Sequence, residues 1–234
     1  MSLFAIGDLH LSISNDVDKP MDIYGPRWAG HMENLEIRWQ DTVKDEDTVI
    51  IPGDVSWGLK LSEAEPDLAW IDSLPGRKLI FKGNHDLWWN GITRMNKMFE
   101  TITFVQNKAV ACEGAYICGT RGWITPDNDE YTEADDRIYK RECLRLELSL
   151  QEAALMQQEK QGEIIGVLHY PPVSKINSFS GFQQLFMDYG VRRVIYGHVH
   201  GEEGFRNTIK GNYHGTDYNL VSYDYLMGQP LKLL

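Results

Sequence analysis

Gly83-Asn84-His85-Asp86 places an amide oxygen, an imidazole and a carboxylate side by side, directly after the apolar run Leu79-Ile80-Phe81. The glycine permits backbone angles that other residues avoid, and the polar groups have the chemistry of a metal ligand next to an acid/base pair. Taken alone, such a tetrapeptide is also an ordinary polar turn that closes a strand. The choice between the two interpretations depends on whether other segments supply partners.

Four further segments carry aspartate or histidine at the end of an apolar stretch that favours a β-strand. The side chains are Asp8 and His10, Asp54, His169, and His198 and His200. Singly, each has a structural alternative: a helix cap for the aspartates, a core histidine for His169, and a polar sheet edge for the alternating pair. Together they predict one site, because the carboxyl ends of parallel strands lie along one edge, where ligands bind.

The predicted ligand set suits a pair of divalent metal ions. Imidazoles, carboxylates and one amide oxygen, without thiolates, are the donors preferred by Mn, Fe, Zn, Co or Ni. They are too many for a single ion that keeps a position open for chemistry. Seven ligands, one of them a bridging carboxylate, fit two ions about 3.5–4 Å apart. The predicted cofactor is therefore a binuclear metal centre, with Mn expected to serve in vitro.

In this order the motifs resemble the signature of the calcineurin-like metallophosphoesterases. The quoted blocks are Asp8-x-His10, Gly53-Asp54, Gly83-Asn84-His85-Asp86, His169 and Gly197-His198-Val199-His200. The resemblance implies an α/β fold, a four-layer α/β/β/α sandwich of two mixed β-sheets flanked by helices. It also implies one metal held by Asp8, His10, Asp54 and His200, and a second held by Asp54, Asn84, His169 and His198.

The resemblance further implies a phosphoesterase in which a hydroxide bridging the two ions attacks phosphorus. His85 is then the general acid that protonates the leaving group, and Asp86 is its orienting partner. The favoured substrates are small or cyclic nucleotide phosphodiesters. A phosphomonoesterase or phosphoprotein phosphatase, and a non-catalytic scaffold of the same fold, remain alternatives. Every expected catalytic or metal position holds a competent residue, which favours the enzyme.

Several residues near the motifs are candidates for contacting the substrate, although the aromatic residues and the arginine also have a packing or surface alternative. Aromatic rings could stack on a flat group, an arginine could clamp a phosphate, and a loop from Lys19 to Arg27 could cover the site. Many relatives have a second histidine at the position of Tyr170, so the pocket is expected to differ in shape there. The candidates are Arg121, Trp57, Trp88, Tyr170 and His31.

The chain of 234 residues is predicted to form a single metallophosphoesterase domain over 1–234, since no repeat or linker is evident. Apolar residues at steps of three and four predict a helix from Trp28 to Val43, and Thr132 is expected to cap a long helix to about Gln161. Short segments between residues 101 and 118, and the tail from about Phe205, predict antiparallel strands.

Composition limits the expected partners. The formal net charge of −11 and the lack of a basic stripe argue against binding long nucleic acid. No apolar run approaches the roughly 20 residues of a membrane span, and the amino-terminal residues lack the features of a signal peptide. Three cysteines without metal-site spacing suit reduced thiols. We therefore expect a cytoplasmic protein with a small phosphoester substrate and no membrane partner; the sequence leaves the oligomeric state open.

Overall fold

The computed structural model describes residues 1–234, with eleven strands and seven α-helices. The strands are β1 (Leu3–Ala5), β2 (Thr48–Ile51), β3 (Arg77–Ile80), β4 (Ile102–Phe104), β5 (Ala109–Cys112), β6 (Ala115–Thr120), β7 (Glu163–Leu168), β8 (Arg193–Tyr196), β9 (Gly211–Tyr213), β10 (Thr216–Leu220) and β11 (Leu231–Lys232). The helices are α1 (His31–Thr42), α2 (Leu61–Ser73), α3 (Ile92–Met95), α4 (Glu133–Glu159), α5 (Gly181–Asp188), α6 (Gly201–Asn207) and α7 (Tyr223–Leu226). Two 3-10 turns, Met21–Tyr24 and Pro26–Trp28, precede α1.

The strands form two mixed sheets, with strand orders β11-β1-β2-β3-β4 and β5-β6-β7-β8-β10-β9. In the first sheet β1 to β4 are parallel and β11 is an antiparallel edge. In the second, β6, β7, β8 and β10 are parallel, and β5 and β9 are antiparallel edges. The parallel centres are almost wholly buried, as their continuous apolar sequences require.

Three apolar clusters define four layers. One cluster joins residues of both sheets, including Leu79 and Ile165, and so lies between them. A second covers the outer face of the first sheet with α1 and α2, where Trp39 is fully buried. A third covers the outer face of the second sheet with α4 and α5, through residues such as Leu146 and Phe182. This arrangement confirms the predicted four-layer sandwich.

Helix α1 begins at His31, three residues after the predicted start at Trp28. Gly30 has a φ of 60° and separates the helix from the preceding 3-10 turn, which holds Trp28. Helix α4 follows the prediction more closely. The Thr132 hydroxyl accepts a hydrogen bond from the Asp135 main-chain N–H, and the Asp135 carboxylate accepts one from the Thr132 N–H in return.

The predicted strand directions are only partly right. Strand β4 pairs with β3 in parallel, and β6 is antiparallel to β5 but parallel to β7. In the tail, β9 and β10 form the expected antiparallel pair, but β10 runs parallel to β8, and α6 and α7 lie among residues expected to be strands. No helix combines the length and the apolar character needed to cross a membrane.

Candidate metal centre and active site

Asp8, His10 and His200 form the first group of side chains that could bind a metal ion. One ligand atom from each lies within 4.8 Å of the others. The Nε2 atoms of His10 and His200 face each other at 3.4 Å. Two imidazole nitrogens and a buried carboxylate oriented toward a common point have the donor chemistry of a divalent cation site.

Asp54, His169 and His198 form the second group, with ligand atoms again within 4.8 Å of one another. Asn84 joins them, because its Oδ1 lies 2.6 Å from His169 Nε2 and 2.9 Å from His198 Nδ1. The His169 Nε2 is also 3.3 Å from Asp54 Oδ2. Four side chains from four chain segments thus direct nitrogen or oxygen atoms at one point.

Asp54 links the two groups. Its Oδ2 lies 3.3 Å from His169 Nε2 in the second group and 4.0 Å from His10 Nε2 in the first. The structure therefore brings all seven predicted metal residues together, with Asp54 between the two groups. Both groups have nitrogen and oxygen donors of the types that divalent ions take.

The backbone at this site is strained. Asp8, His10, Asp54 and His198 have φ angles of 55°, 47°, 52° and 70°. For residues other than glycine this left-handed region costs about 1–2 kcal/mol each, and such angles concentrate at functional sites. Each strand therefore ends in a sharp turn that directs the following side chain into the site.

Two glycines of the motifs are required by close approach. A Cβ on Gly83 would lie 2.1 Å from Asp54 Oδ1, and a Cβ on Gly197 would lie 2.4 Å from Asp8 Oδ2. The space is used by hydrogen bonds, since the His198 N–H next to Gly197 donates to the Asp8 carboxylate at 3.0 Å. The glycines let the main chain approach the carboxylates, which fixes the carboxylate positions.

Burial and charge set the protonation of the candidate ligands. Burial lowers the pKa of His10 and of His198 to about 3 in each case, so both are neutral ligands near pH 7. For His169, burial acts to lower the pKa, but the charge and hydrogen bond of Asp54 outweigh it and raise the pKa to about 9. His169 therefore carries a proton that a metal ion must displace.

Metal binding is expected to release a proton from His169. Because the pKa of His169 is about 9 and the pKa of His200 is also raised, since its hydrogen bond to Asp224 and nearby carboxylates outweigh burial, the affinity for Mn²⁺ should rise at least about tenfold per pH unit between pH 6 and pH 8. Calorimetric titrations in buffers of different ionisation enthalpy measure the released protons. A pH-independent affinity with no proton release would contradict the assignment of His169 as a ligand.

Main-chain and side-chain acceptors orient two of the ligating imidazoles. His169 Nδ1 lies 3.0 Å from the carbonyl oxygen of Pro52, to which it donates, so Nε2 faces Asn84 and Asp54. His200 Nδ1 lies 2.9 Å from Asp224 Oδ1, and its Nε2 faces His10. Such outer partners fix the tautomer and direction of a metal-binding histidine.

Asp224 was missed by sequence reasoning. Its carboxylate is buried and accepts hydrogen bonds from His200 Nδ1 and from the Gly201 N–H at 3.0 Å. It lies in the short helix α7, with no motif around it. The only available signal was a carboxylate in the segment that follows the last predicted strand, which is too weak to select it.

The Asp224→Asn variant is expected to bind metal about 10- to 100-fold more weakly, because the amide holds His200 less firmly in the required tautomer. Metal affinity at fixed pH is the measurement. Asp217→Asn, in the neighbouring strand β10 and away from the histidines, is the matched control. Equal affinities in the two variants would remove Asp224 from the site.

The sequence analysis predicts that Asp86 orients His85, but in the structure the Asp86 carboxylate makes its hydrogen bonds elsewhere. Its Oδ1 accepts from the Val55 N–H and the Trp88 indole, and its Oδ2 accepts from the N–H groups of Asp54 and Gly83, at 2.7 to 3.1 Å. Both oxygens are thereby occupied within a fully buried setting. Asp86 fixes the loop that carries Asp54 instead of orienting the imidazole.

His85 is exposed and lines a cavity at the site. Its ring lies 4.5 Å from the ring of Trp57 and 5.7 Å from that of His10. Its main-chain N–H donates to Asp54 Oδ1 at 2.8 Å. The imidazole is therefore next to the candidate metal ligands, open to a bound molecule, and positioned by its main chain and by Trp57.

Of the five predicted substrate residues, only Trp57 lines this cavity. Trp88 is buried and donates to Asp86, and Tyr170 is buried with its ring 4.0 Å from that of His198. His31 is buried against Trp28 and Tyr223, and Arg121 lines a different cavity. Trp88, Tyr170 and His31 are thus buried, packed side chains in this structure.

The cavity has a volume of about 680 Å³. The sequence predicts one of its walls only as a loop that could cover the site. That wall includes Met21, Tyr24, Arg27 and Trp28 from the two 3-10 turns, together with Glu202. The sequence predicts Trp28 as the first residue of a helix, whereas the structure places it in a 3-10 turn, buried and also lining the cavity. It lies in the cavity wall because the turn before Gly30 directs its ring toward His200, 5.6 Å away between ring centres.

The family model for calcineurin-like phosphoesterases matches residues 1–202. The chain belongs to the calcineurin-like phosphoesterase family. Among curated proteins it is similar to the Gene 66 protein of Mycobacterium phage D29, with 37% identity over 79 residues, and to the Gene 66 protein of Mycobacterium phage L5, with 41% identity over 56 residues. These segments cover 34% and 24% of this chain and only 37% and 27% of the phage proteins.

Two solved structures resemble the whole chain. One is a protein of unknown function, AQ665 from Aquifex aeolicus, with a TM-score of 0.52, 16% identity, and coverage of 99% of this chain and 95% of that one. The other is the phosphopantetheinyl hydrolase PptH from Mycobacterium tuberculosis, with a TM-score of 0.52, 14% identity, and coverage of 100% and 95%. At these identities the likeness shows the fold alone.

Proposed function

We propose that the chain is a binuclear metal-dependent phosphoesterase that hydrolyses small or cyclic nucleotide phosphodiesters. The observation that carries this proposal is the convergence of seven ligating side chains in two groups that share Asp54, next to the exposed imidazole of His85. Family membership supports the general chemistry. The substrate class rests on the cavity.

When bound, two divalent ions supply positive charge for the phosphate oxygens and a nucleophile at neutral pH. The chain's own contribution is geometric. The seven candidate ligands would hold the two ions, the hydrogen bonds of Asp86 fix the loop that carries Asp54, and His85 would donate a proton to the leaving oxygen. Trp57 stacks on His10 at 4.6 Å and contacts His85, which limits the movement of both rings.

The cavity wall supports a substrate with a flat group. Its volume of about 680 Å³ is within the usual range for small-molecule sites, about 300–1,000 Å³. Met21, Tyr24, Trp28 and Trp57 provide aromatic and apolar surface beside the metal ligands. A nucleobase stacks well on such surface, and the cavity is large enough to hold it while the phosphate contacts the centre.

The charge of the wall favours a diester over a monoester. Arg27 is the only lysine or arginine that lines the cavity, and it is paired with Glu202 and donates to the main-chain oxygen of Asp224. A monoester dianion would be favoured by a free cation near the phosphate. A diester carries one negative charge, which the metal ions alone can balance.

The test is hydrolysis of bis-p-nitrophenyl phosphate against p-nitrophenyl phosphate by protein reconstituted with Mn²⁺ in metal-free buffer. We expect a higher kcat/KM for the diester than for the monoester. In a second assay with the same protein, we expect hydrolysis of cyclic nucleotides. Preference for the monoester would replace the proposal with a phosphomonoesterase or phosphoprotein phosphatase. Absence of both bound metal and activity would indicate a non-catalytic scaffold.

The Trp57→Ala variant is expected to raise KM for a cyclic nucleotide about tenfold, since a base–aromatic stack contributes about 1–3 kcal/mol. Trp57→Phe keeps a ring and is the matched control, expected to stay close to the wild type. Metal content is measured in both, because Trp57 also packs on His10. Equal KM values for the two variants would remove Trp57 from substrate binding.

A further inference from the structure

A second cavity, of about 250 Å³, lies between Phe81 and Lys82, just before the loop that begins at Gly83, and helix α4. It shares no lining residue with the cavity at the metal centre. Its lining includes four cationic side chains, one carboxylate and several neutral polar groups. The charged residues are Lys82, Arg121, Arg141, Arg145 and Glu142.

The charge of this cavity opposes that of the whole chain. Four cations face one anion, so the lining carries a formal charge of +3, while the chain carries −11. Like charges placed together repel one another, and the repulsion is larger where water is partly excluded. A cluster of this kind is stabilised when a further anion enters it.

Glu142 does not provide a hydrogen-bond acceptor for each of the arginines around it. Its carboxylate is fully buried, and Oε2 accepts from the Thr120 hydroxyl at 2.5 Å. Oε1 lies 2.7 Å from Arg145 Nη1, but 3.5 Å from Arg141 Nε and 3.9 Å from Arg121 Nη2. Only Arg145 is therefore at hydrogen-bonding distance, and the other two guanidinium groups keep donors to spare.

Arg121 is the clearest case of a guanidinium group with too few hydrogen-bond acceptors. Its Nε is buried and has no hydrogen-bond partner. Its guanidinium lies over the ring of Trp123, 4.6 Å from the ring centre, which fixes the plane of the group. A buried donor without a partner is costly, and a guanidinium held in one plane is suited to bind an oxyanion with little loss of freedom.

We propose that this cavity is a second anion-binding site, which takes a compact oxyanion of the phosphate class. Its volume is that of about eight water molecules at roughly 30 Å³ each, enough for a tetrahedral anion and a few waters. Guanidinium groups bind phosphate oxygens through paired hydrogen bonds. Lys82, Arg121 and Arg141 supply the charge that Glu142 leaves unbalanced.

The site is connected to the metal centre through the main chain. Lys82 directly precedes the loop that begins at Gly83. The carbonyl oxygen of Arg121 accepts hydrogen bonds from the N–H groups of His169 and Tyr170, both at 3.0 Å. An anion in this cavity therefore contacts two segments whose neighbouring residues are candidate metal ligands.

The experiment follows the Trp89 indole N–H by NMR while inorganic phosphate is added to the full chain. Trp89 and Gln106 both line the cavity, and the indole donates to Gln106 Oε1 at 3.2 Å. The protein is first freed of metal with a chelator, because phosphate would also bind to metal ions at the metal centre. We expect a saturable shift of the Trp89 signal that sodium chloride at equal ionic strength does not reproduce.

Arg141→Gln is the test variant, because Arg141 is half exposed and Arg145 still pairs with Glu142 when it is replaced. Arg137→Gln, on the same helix but outside the cavity, is the matched control, and thermal unfolding checks that both are folded. We expect about tenfold weaker phosphate binding in Arg141→Gln only. Equal weakening in both variants, or no saturable shift in the wild type, would overturn the proposal.

Discussion

The Asp54→Asn variant is expected to lose both metal ions and with them nearly all hydrolytic activity. Asp54 is the side chain shared by the two ligand groups, with Oδ2 at 3.3 Å from His169 Nε2 and 4.0 Å from His10 Nε2. Burial acts to raise the pKa of this carboxyl group, but His169 outweighs it, so the pKa is lowered and the group is ionised. The side-chain amide introduced by Asp54→Asn carries no negative charge.

The loss of charge should reduce kcat/KM on the order of 10³-fold or more, because the bound ions contribute several kcal/mol to the transition state. Metal content and thermal unfolding are measured together. In the wild type, Mn²⁺ at 100 times its Kd should add about 2.7 kcal/mol and raise Tm by roughly 5–10 °C. In Asp54→Asn this increase should disappear.

Asp18→Asn is the control for Asp54→Asn, since Asp18 is exposed in the loop before the 3-10 turns. It should keep the metal-dependent rise in Tm and the full activity. Retention of two tightly bound ions by Asp54→Asn would show that this residue does not bridge the centre, and the proposed arrangement of the ligands would then be wrong.

The His85→Ala variant is expected to keep its metal but to lose about 10²- to 10⁴-fold in turnover, the usual contribution of a general acid. The side chain is exposed at the cavity and the main-chain N–H to Asp54 is unchanged by the substitution. The ligand groups therefore remain intact. The loss should be greatest for substrates with a poor leaving group, which depend most on protonation.

The measurement compares kcat for a p-nitrophenyl ester and for an alkyl ester of the same phosphate. A similar decrease with both substrates would indicate that His85 binds phosphate without donating a proton. Unchanged turnover would remove it from the mechanism. His214→Asn is the control, because His214 lies in the distant β9–β10 turn with a φ of 54°, an angle that asparagine tolerates.

The metal ligands could be predicted because topology fixes their meeting place. Asp8, Asp54 and Asn84 follow three adjacent parallel strands of one sheet, and His169 and His198 follow two adjacent strands of the other. A polar residue after each strand is visible in the sequence, and parallel pairing brings the strand ends to one edge. Neither step requires knowledge of side-chain packing.

The supporting residues could not be predicted because their roles depend on packing. Asp86 follows His85 in the chain, which suggests a contact between the two side chains. In the structure the main-chain N–H groups of Asp54, Val55 and Gly83 instead donate hydrogen bonds to the Asp86 carboxylate. Asp224 reaches His200 because β10 runs parallel to β8 and returns the tail to the same edge. Sequence patterns had suggested only antiparallel strands there.

The covering wall shows a similar limit. A spacing of three and four residues correctly indicated an amphipathic helix, but could not show that Gly30 separates Trp28 from that helix. Arg121 is a candidate phosphate clamp in the sequence because it follows a predicted strand. Its side chain instead turns toward Glu142 and Trp123, which places it in the second cavity.

The most direct test of the central claim is the number and coupling of bound metal ions. Metal-free protein is titrated with Mn²⁺, the bound metal is counted by elemental analysis, and the sample is examined by electron paramagnetic resonance. Two ions per chain with a spin-coupled signal are expected, since Asp54 is shared by both ligand groups. A single ion, or two ions with uncoupled signals, would contradict a shared binuclear centre.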